Sequence, residues 1–326
     1  MKDVALVGLP GSGKSTVFTA VSRQAAQYGT AAQAVVEVPD DRLQTLAKIY
    51  ESKKITHGQV RIVDIAGIDA RAIGEARATD ALAIVLRAFG DDADPKRDLE
   101  SFRAELAVTD LTAVEKVHER VSKEAKKGTK EAVLEQAICV RAEAALSDGR
   151  WLSEESWTAD ERRALSLWTP LTLKPALHVI NAEDPTVDVA GVPEPYVVIC
   201  GALEAEATEL SEDDAAELLH GFGIEESGRG RFIRAAYDAI DLLTFFTAGP
   251  TKSRAWEVRK GATAPQAAGT IHSDFERAFI RAERVGYDDI VACGSEDAAR
   301  KQGLLRAEGK DYVVKEGDVL LILHGA

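Results

Sequence analysis

Residues Met1–Thr16 read MKDVALVGLPGSGKST, and Gly8–Ser15 (GLPGSGKS) fit the pattern G-x-x-x-x-G-K-[ST] in full. Gly8, Gly11, Ser12 and Gly13 are expected to cradle phosphate, because glycine lets backbone N–H groups turn inward around an anion. Lys14 is expected to reach the β and γ phosphates. The Ser15 hydroxyl is expected to ligate Mg²⁺, and the amides of the following helix, Thr16 included, face the same anion. A bare match could be a chance glycine loop. Here the loop leaves the apolar strand 3–8 (DVALVG) and opens a helix expected from Lys14 to about Gln27. The chain is therefore read as binding a purine nucleoside triphosphate.

Working outward, strands rich in β-branched residues are expected at 34–38 (AVVEV) and 59–65 (QVRIVDI). Leu43, Leu46 and Ile49 have helical spacing between them. Buried strands follow at 80–88, 176–181 and 196–200. Strands alternating with helices argue for a parallel sheet covered on both faces. Residues 96–147 change character: apolar residues recur at helical spacing on either side of a break at Gly128. That predicts an antiparallel helical hairpin inserted between strands. Residues 204–243 read as mostly helical. From Thr244 onward, short strands and many glycines suggest a small mixed β domain.

DIAG (Asp64–Gly67) ends a strand, where P-loop enzymes place the acid that holds Mg²⁺ and a glycine amide that senses the γ-phosphate. As a lone D-x-x-G it could merely cap a turn; the upstream loop makes Asp64 and Gly67 site candidates with Lys14. NAED (Asn181–Asp184) stands where GTPases carry the base-reading N-K-x-D. It also suits an ordinary strand-to-loop turn. In the site reading Asn181 and Asp184 contact the base, Ala182 replaces the lysine, and Cys200, Gly201 and Ala202 supply the last base-contacting loop. His272 reads as a packed or capping residue, and Trp256 as core.

Composition excludes little but orders the alternatives. Hydrophobic residues at 45% and charged residues at 29% suit a globular chain with a real core. No apolar run approaches the roughly 18 residues needed to span a bilayer. The short N-terminal apolar run leads into the glycine loop, so it reads as a strand and not a signal peptide. Cys139, Cys200 and Cys293 have no metal-ligand spacing and imply no disulfide framework. A cytoplasmic location without a membrane partner is expected. The net charge is −14, yet residues 251–326 hold 12 basic and 12 acidic residues. The first 250 residues carry the whole acidic excess, which disfavours a nucleic-acid grip there but not at the C-terminus.

The C-terminal stretches LLTFFTAGPTKSRAWEVRKGATAPQAAGTIHSDFERAFIRAE and EGKDYVVKEGDVLLI strongly resemble the TGS domain of the Obg-like ATPases of the YchF type. VVEVPDDRLQTLAKIY, VDIAG, VLRAF, DLESFRAELAVTDL, KPALHVIN and VICGALEAEATEL extend the resemblance over most of the chain. It implies an α/β P-loop NTPase of the G-domain type (1–95 and 150–243), an inserted helical hairpin (96–149) and a C-terminal β-grasp TGS domain (244–326). It also implies ATP as ligand, with GTP as the alternative, Mg²⁺ as cofactor, and ribosome or RNA contact through the insertion and the TGS domain. The oligomeric state stays open.

The chain departs from the family where switch segments lie. The stretch RQAAQYGTAAQA (23–34) is short, with only Thr30 to stand in for a metal-ligating threonine. IDARAIGEARATDA (68–81) is abbreviated, and GDDADPKRD (90–98) lacks the histidine that the family tends to carry. The insertion is short, and the base motif ends in Asp184 where the family has Glu. Ile68 follows the DIAG glycine and cannot orient a water as the glutamine of Ras-like enzymes does. Phosphate-binding parts are intact while water-activating parts are trimmed, so binding with slow Mg²⁺-dependent hydrolysis is expected. A non-hydrolysing nucleotide-binding adaptor and a GTP-specific GTPase are the alternatives. A small-molecule kinase is disfavoured, since no acceptor site is evident.

Overall fold

The computed structural model describes residues 2–25, 32–67, 69–126 and 128–325. The strands are β1 (Lys2–Val7), β2 (Ala32–Glu37), β3 (Ile55–Thr56), β4 (Gln59–Asp64), β5 (Ala81–Ala88), β6 (Ala176–Ala182), β7 (Tyr196–Ile199), β8 (Leu242–Thr247), β9 (Ser253–Arg259), β10 (Phe279–Gly286), β11 (Arg306–Glu308) and β12 (Asp318–His324). The helices begin with α1 (Lys14–Ser22), α2 (Asp41–Ile49), α3 (Ala70–Arg77), α4 (Pro95–Ala125), α5 (Lys130–Ser147), α6 (Ala159–Leu167) and α7 (Gly201–Ala207). They end with α8 (Glu212–Gly221), α9 (Gly228–Ala239), α10 (Ala264–Ile271), α11 (Ser273–Arg277), α12 (Tyr287–Cys293) and α13 (Glu296–Lys301). None of these is long and apolar enough to cross a membrane.

Contacts divide the chain into two compact units. One comprises Lys2–Ala34 and Ile62–Ala236; the other comprises Val35–Arg61 and Tyr237–Ala326. The chain passes between them along β2 and β4. The first sheet runs β2-β4-β1-β5-β6-β7, and β1, β5, β6 and β7 pair in parallel. Every residue from Ala81 to Leu86 is buried, as a strand covered on both faces requires.

In the first unit the expected hairpin is α4 and α5. Asp94 caps α4 by accepting from Arg97 N–H at 2.9 Å, and Pro95 opens the helix. Gly128 takes φ 78°, in the left-handed region open to glycine, and the chain reverses around it. Ala107 and Val114 of α4 pack with Ile138, Cys139, Ala142, Ala145 and Leu146 of α5. Leu99, Phe102 and Leu106 bury the near end of α4 against Ile65, Ala72, Ala76, Leu82 and Ile84. Asp110, fully buried, fastens α4 there: it pairs with Arg77 at 3.2 Å and accepts from Thr172 N–H at 2.7 Å.

Two expectations change. Helix α1 ends at Ser22 rather than near Gln27, because Arg23 turns left-handed (φ 57°) while its N–H still bonds Thr19 O. The second difference concerns residues 35–61, which belong to the unit of the C-terminal segment. Its sheet runs β11-β10-β12-β8-β9-β3, with β3 drawn from residues 55–56. Leu43 and Leu46 of α2 are fully buried against Phe246, Ala255, Val285, Ile290 and Val319. The second core of this sheet joins Leu243, Phe245, Phe279, Ala282 and Leu320 to Ala264, Ala267 and Ala268 of α10. His272 caps α11, its ring Nδ1 accepting from Asp274 N–H at 3.1 Å, and Trp256 packs half-buried against that core.

Candidate nucleotide site

The glycine loop crosses from β1 to α1 within the first unit. Gly8 (φ 149°) passes so close to β5 that a Cβ would stand 2.4 Å from Val85 O. Gly13 (φ 81°) lies against Asn181, where a Cβ would stand 2.1 Å from Nδ2. Both positions therefore demand glycine on steric and conformational grounds. Gly13 caps α1 without a side-chain bond, and the first intrahelical bond is Val17 N–H to Gly13 O at 2.9 Å. The amides of Lys14, Ser15 and Thr16 are left without helical partners, as an anion site needs.

Lys14 curls over the loop, its Nζ donating to Gly8 O at 3.0 Å and Leu9 O at 3.1 Å. Burial lowers its pKa, while the Asp64 charge pulls it back up. Ser15 Oγ donates to Asp64 Oδ2 at 2.8 Å. The other carboxylate oxygen, Oδ1, is buried without a hydrogen-bond partner. Burial raises the Asp64 pKa, and the Ser15 bond and the Lys14 charge only partly offset that. A buried acid with an unused oxygen beside a serine hydroxyl suits a hard divalent cation. Beyond Asp64, Gly67 takes φ 80° and is exposed, and Asp69 caps α3 by accepting from Arg71 and Ala72 N–H. Ile68 and Thr30 lie outside the described residues.

On the opposite side Asn181 bridges two loops. Its Nδ2 donates to Ser12 O at 3.0 Å, and its Oδ1 accepts from Gly201 N–H at 3.2 Å. Both ends of its amide are thus committed to protein. Asp184 is exposed and accepts from Thr186 N–H and Oγ1, each at 2.6 Å, in a local turn; these bonds lower its pKa. Cys200 and Gly201 are buried and Ala202 is exposed at the start of α7. Burial pushes the Cys200 thiol up to about 11. The structure thus brings Gly8–Thr16 together with Asp64 on one side and with Asn181 and Gly201 on the other. Asp184, the expected base reader, is turned into its own loop. Phe89 was not singled out as a site residue: its ring edge stands 3.6 Å from where a Gly13 Cβ would be. Its place in VLRAF, at the end of β5 facing the glycine loop, was the signal available.

Two family models match. Residues 3–136 match MMR_HSR1, a 50S ribosome-binding GTPase, and residues 242–324 match YchF-GTPase_C, a protein of unknown function (DUF933). The chain is 37% identical to the ribosome-binding ATPase YchF of Bacillus subtilis, over 97% of both chains. The chain belongs to the YchF family. A YchF relative of Escherichia coli O157:H7 is 36% identical over 98% of both chains. Obg-like ATPase 1 of Oryza sativa subsp. japonica is 34% identical, over 97% of this chain and 90% of its own. The YchF fold is shared with the solved YchF GTPase of Schizosaccharomyces pombe, at TM-score 0.87 and 28% identity, over 99% of this chain and 97% of that one.

Proposed function

We propose that this chain binds ATP at Gly8–Thr16, hydrolyses it slowly in the presence of Mg²⁺, and acts at the ribosome in the cytoplasm; its relatives are named ribosome-binding ATPases. The observation that carries the reading is the buried, half-satisfied Asp64 carboxylate bonded to Ser15 beside Lys14. Ser15 and Asp64 would hold Mg²⁺, which when bound neutralises charge on the phosphates. Lys14 exchanges its two loop carbonyls for phosphate oxygens. The free amides of α1 and the turned-in loop hold the phosphates in place, and Gly67 N–H is available to the γ-phosphate. Nothing among the described residues of α3 offers a water-positioning amide or imidazole: the helix reads ARAIGEAR. Phosphoryl transfer depends on positioning and charge stabilisation, so turnover without a partner is slow.

Base choice rests on Phe89, Cys200, Gly201 and Ala202, with Asn181 bracing the last three against the glycine loop. With Asp184 bonded to Thr186, the carboxylate that would accept two bonds from guanine is engaged elsewhere, which favours adenine. We assign residues 1–95 and 150–243 to the nucleotide-binding G domain, 96–149 to the helical insertion and 244–326 to a TGS domain, with 35–61 packed into the compact unit of the last. Displacement of labelled ATP by unlabelled ATP and GTP, with product followed over hours, tests the reading. ATP should displace at the lower concentration, and turnover should fall far below the enzyme median of about 10 per second. Displacement at lower concentration by GTP contradicts the base assignment.

A further inference from the structure

Cys200, Gly201 and Ala202 offer a purine only a buried thiol, a hydrogen and a methyl as side chains. They leave β7 and open α7, with Cys200 at the cap position and no side-chain bond there. Serine, threonine or aspartate is favoured at such a place, because a short side-chain oxygen satisfies the first amides. Here the acceptor comes from beneath the loop. Glu204 is 4% exposed, and its Oε1 accepts from Cys200 N–H at 3.2 Å. Glu204 N–H donates back to Cys200 O at 2.8 Å, so two bonds close the turn.

The second carboxylate oxygen reaches away from the site. Oε2 accepts from Gly228 N–H at 2.5 Å, at the start of α9. Glycine is required there by close approach: a Cβ would stand 2.6 Å from Oε1, 2.9 Å from Oε2 and 3.0 Å from Ile199 Cγ1. A buried carboxylate is costly unless its oxygens are bonded. Burial raises the Glu204 pKa, and the Gly228 and Cys200 N–H bonds and the Arg231 charge offset that. Packing alone gives no reason for an acid at this place, since Cys200 and Ala207 otherwise join an apolar cluster with Ala215, Leu219 and Ile224. Two adjacent amides of the loop are thus fixed by different side chains. Asn181 holds Gly201 N–H and ties it to the glycine loop, and Glu204 holds Cys200 N–H and ties it to α9. A loop that meets a base with its backbone discriminates only as sharply as that backbone is held.

We propose that Glu204 is a positioning residue for the purine base: its bonds to Cys200 and Gly228 hold the 200–202 loop in the geometry that distinguishes adenine from guanine. The inference rests on the proposed nucleotide site and names the support behind its base side. Asn181 is bonded to the phosphate loop as well, whereas Glu204 is bonded to the base loop and α9. The two side chains should therefore leave different signatures in binding.

The test is calorimetric titration of the full chain, with Mg²⁺, by ATP, GTP and inorganic tripolyphosphate. Glu204→Gln keeps the side-chain volume but sets an amide NH₂ against one of the two N–H groups. Its ATP affinity should fall at least about fivefold, and the ratio of ATP to GTP affinity should move toward one, with tripolyphosphate affinity unchanged. Gly228→Ala should give the same pattern from α9, by displacing the carboxylate. Combined with Glu204→Gln it should add nothing to the selective loss, because both changes break one linkage. Glu206→Gln, exposed on the same helix, should match wild type. Equal losses for all three ligands would make Glu204 a support of the fold alone and overturn the proposal, as would additive selective losses in the double variant. If wild type prefers GTP while the variants still lose nucleoside triphosphates and not tripolyphosphate, the adenine assignment fails and the brace stands.

Discussion

Asn181 separates two accounts of the base side of the site. In this structure its amide braces the glycine loop, accepting from Gly201 N–H and donating to Ser12 O, and both residues are buried. Asn181→Ala orphans one buried donor and one buried acceptor, each at about 1–3 kcal/mol. Water entering the void recovers part of that. If only the Ser12 bond bears on the phosphate cradle, about 1–2 kcal/mol reaches the ligand, a factor of roughly 5–30 in affinity. Because the brace acts on the loop and not on the base, the loss should be equal for ATP, GTP and inorganic tripolyphosphate. Asn181→Asp should be no better than Ala: it keeps the acceptor for Gly201 but sets an oxygen against Ser12 O. Isothermal titration calorimetry with the three ligands gives the answer. Full retention of tripolyphosphate affinity with loss of ATP affinity would refute the reasoning and make Asn181 a base reader.

The other predictions concern the acid, the serine and the second unit. Burial holds the Asp64 pKa above its unfolded value, so its contribution to stability is present below the unfolded pKa and is lost as pH rises through the folded one. Asp64→Asn should thus gain stability over wild type as pH climbs past the ordinary carboxylate range, read by thermal melts, while losing Mg²⁺-dependent ATP affinity. Ser15→Ala should leave metal-free ATP binding nearly intact and remove most of the gain from Mg²⁺, measured by calorimetry with and without the ion. A fragment of residues 244–326 alone loses Leu43 and Leu46, each worth about 1.5–3 kcal/mol of burial against a domain stability of about 5–15 kcal/mol. Supplying residues 35–61 should sharpen its amide NMR spectrum; equally dispersed spectra with and without them contradict the packing.

Much of this was legible in the sequence because the deciding features are local. The glycine loop is one continuous octapeptide; Gly8 and Gly13 are required by close approach to Val85 and Asn181, and Gly11 by its φ of 80°. The hairpin showed as two periodic runs about Gly128, and the structure keeps all three features. The long-range features were not legible. The apolar spacing of Leu43, Leu46 and Ile49 announces a buried face but not what buries it, and the partners lie some two hundred residues on. The end of α1 depends on a left-handed arginine that no composition rule anticipates. The Asp184 turn was open as the plainer reading of N-A-E-D, since Asp readily bonds the backbone two residues on, and the structure takes that path. Phe89 gave only a strand signal, because its place beside Gly13 depends on the crossing of β5 past the glycine loop.

Titration of ATP into the wild-type chain and into Lys14→Ala, each with Mg²⁺ present, tests the central claim most directly. Lys14→Ala also removes the bonds to Gly8 O and Leu9 O, so circular dichroism and a thermal melt accompany the titration. Wild type should bind one ATP per chain, and Lys14→Ala should bind far more weakly for want of the charge on the β and γ phosphates. Equal affinities in two folded proteins, or no binding by wild type, would contradict the account.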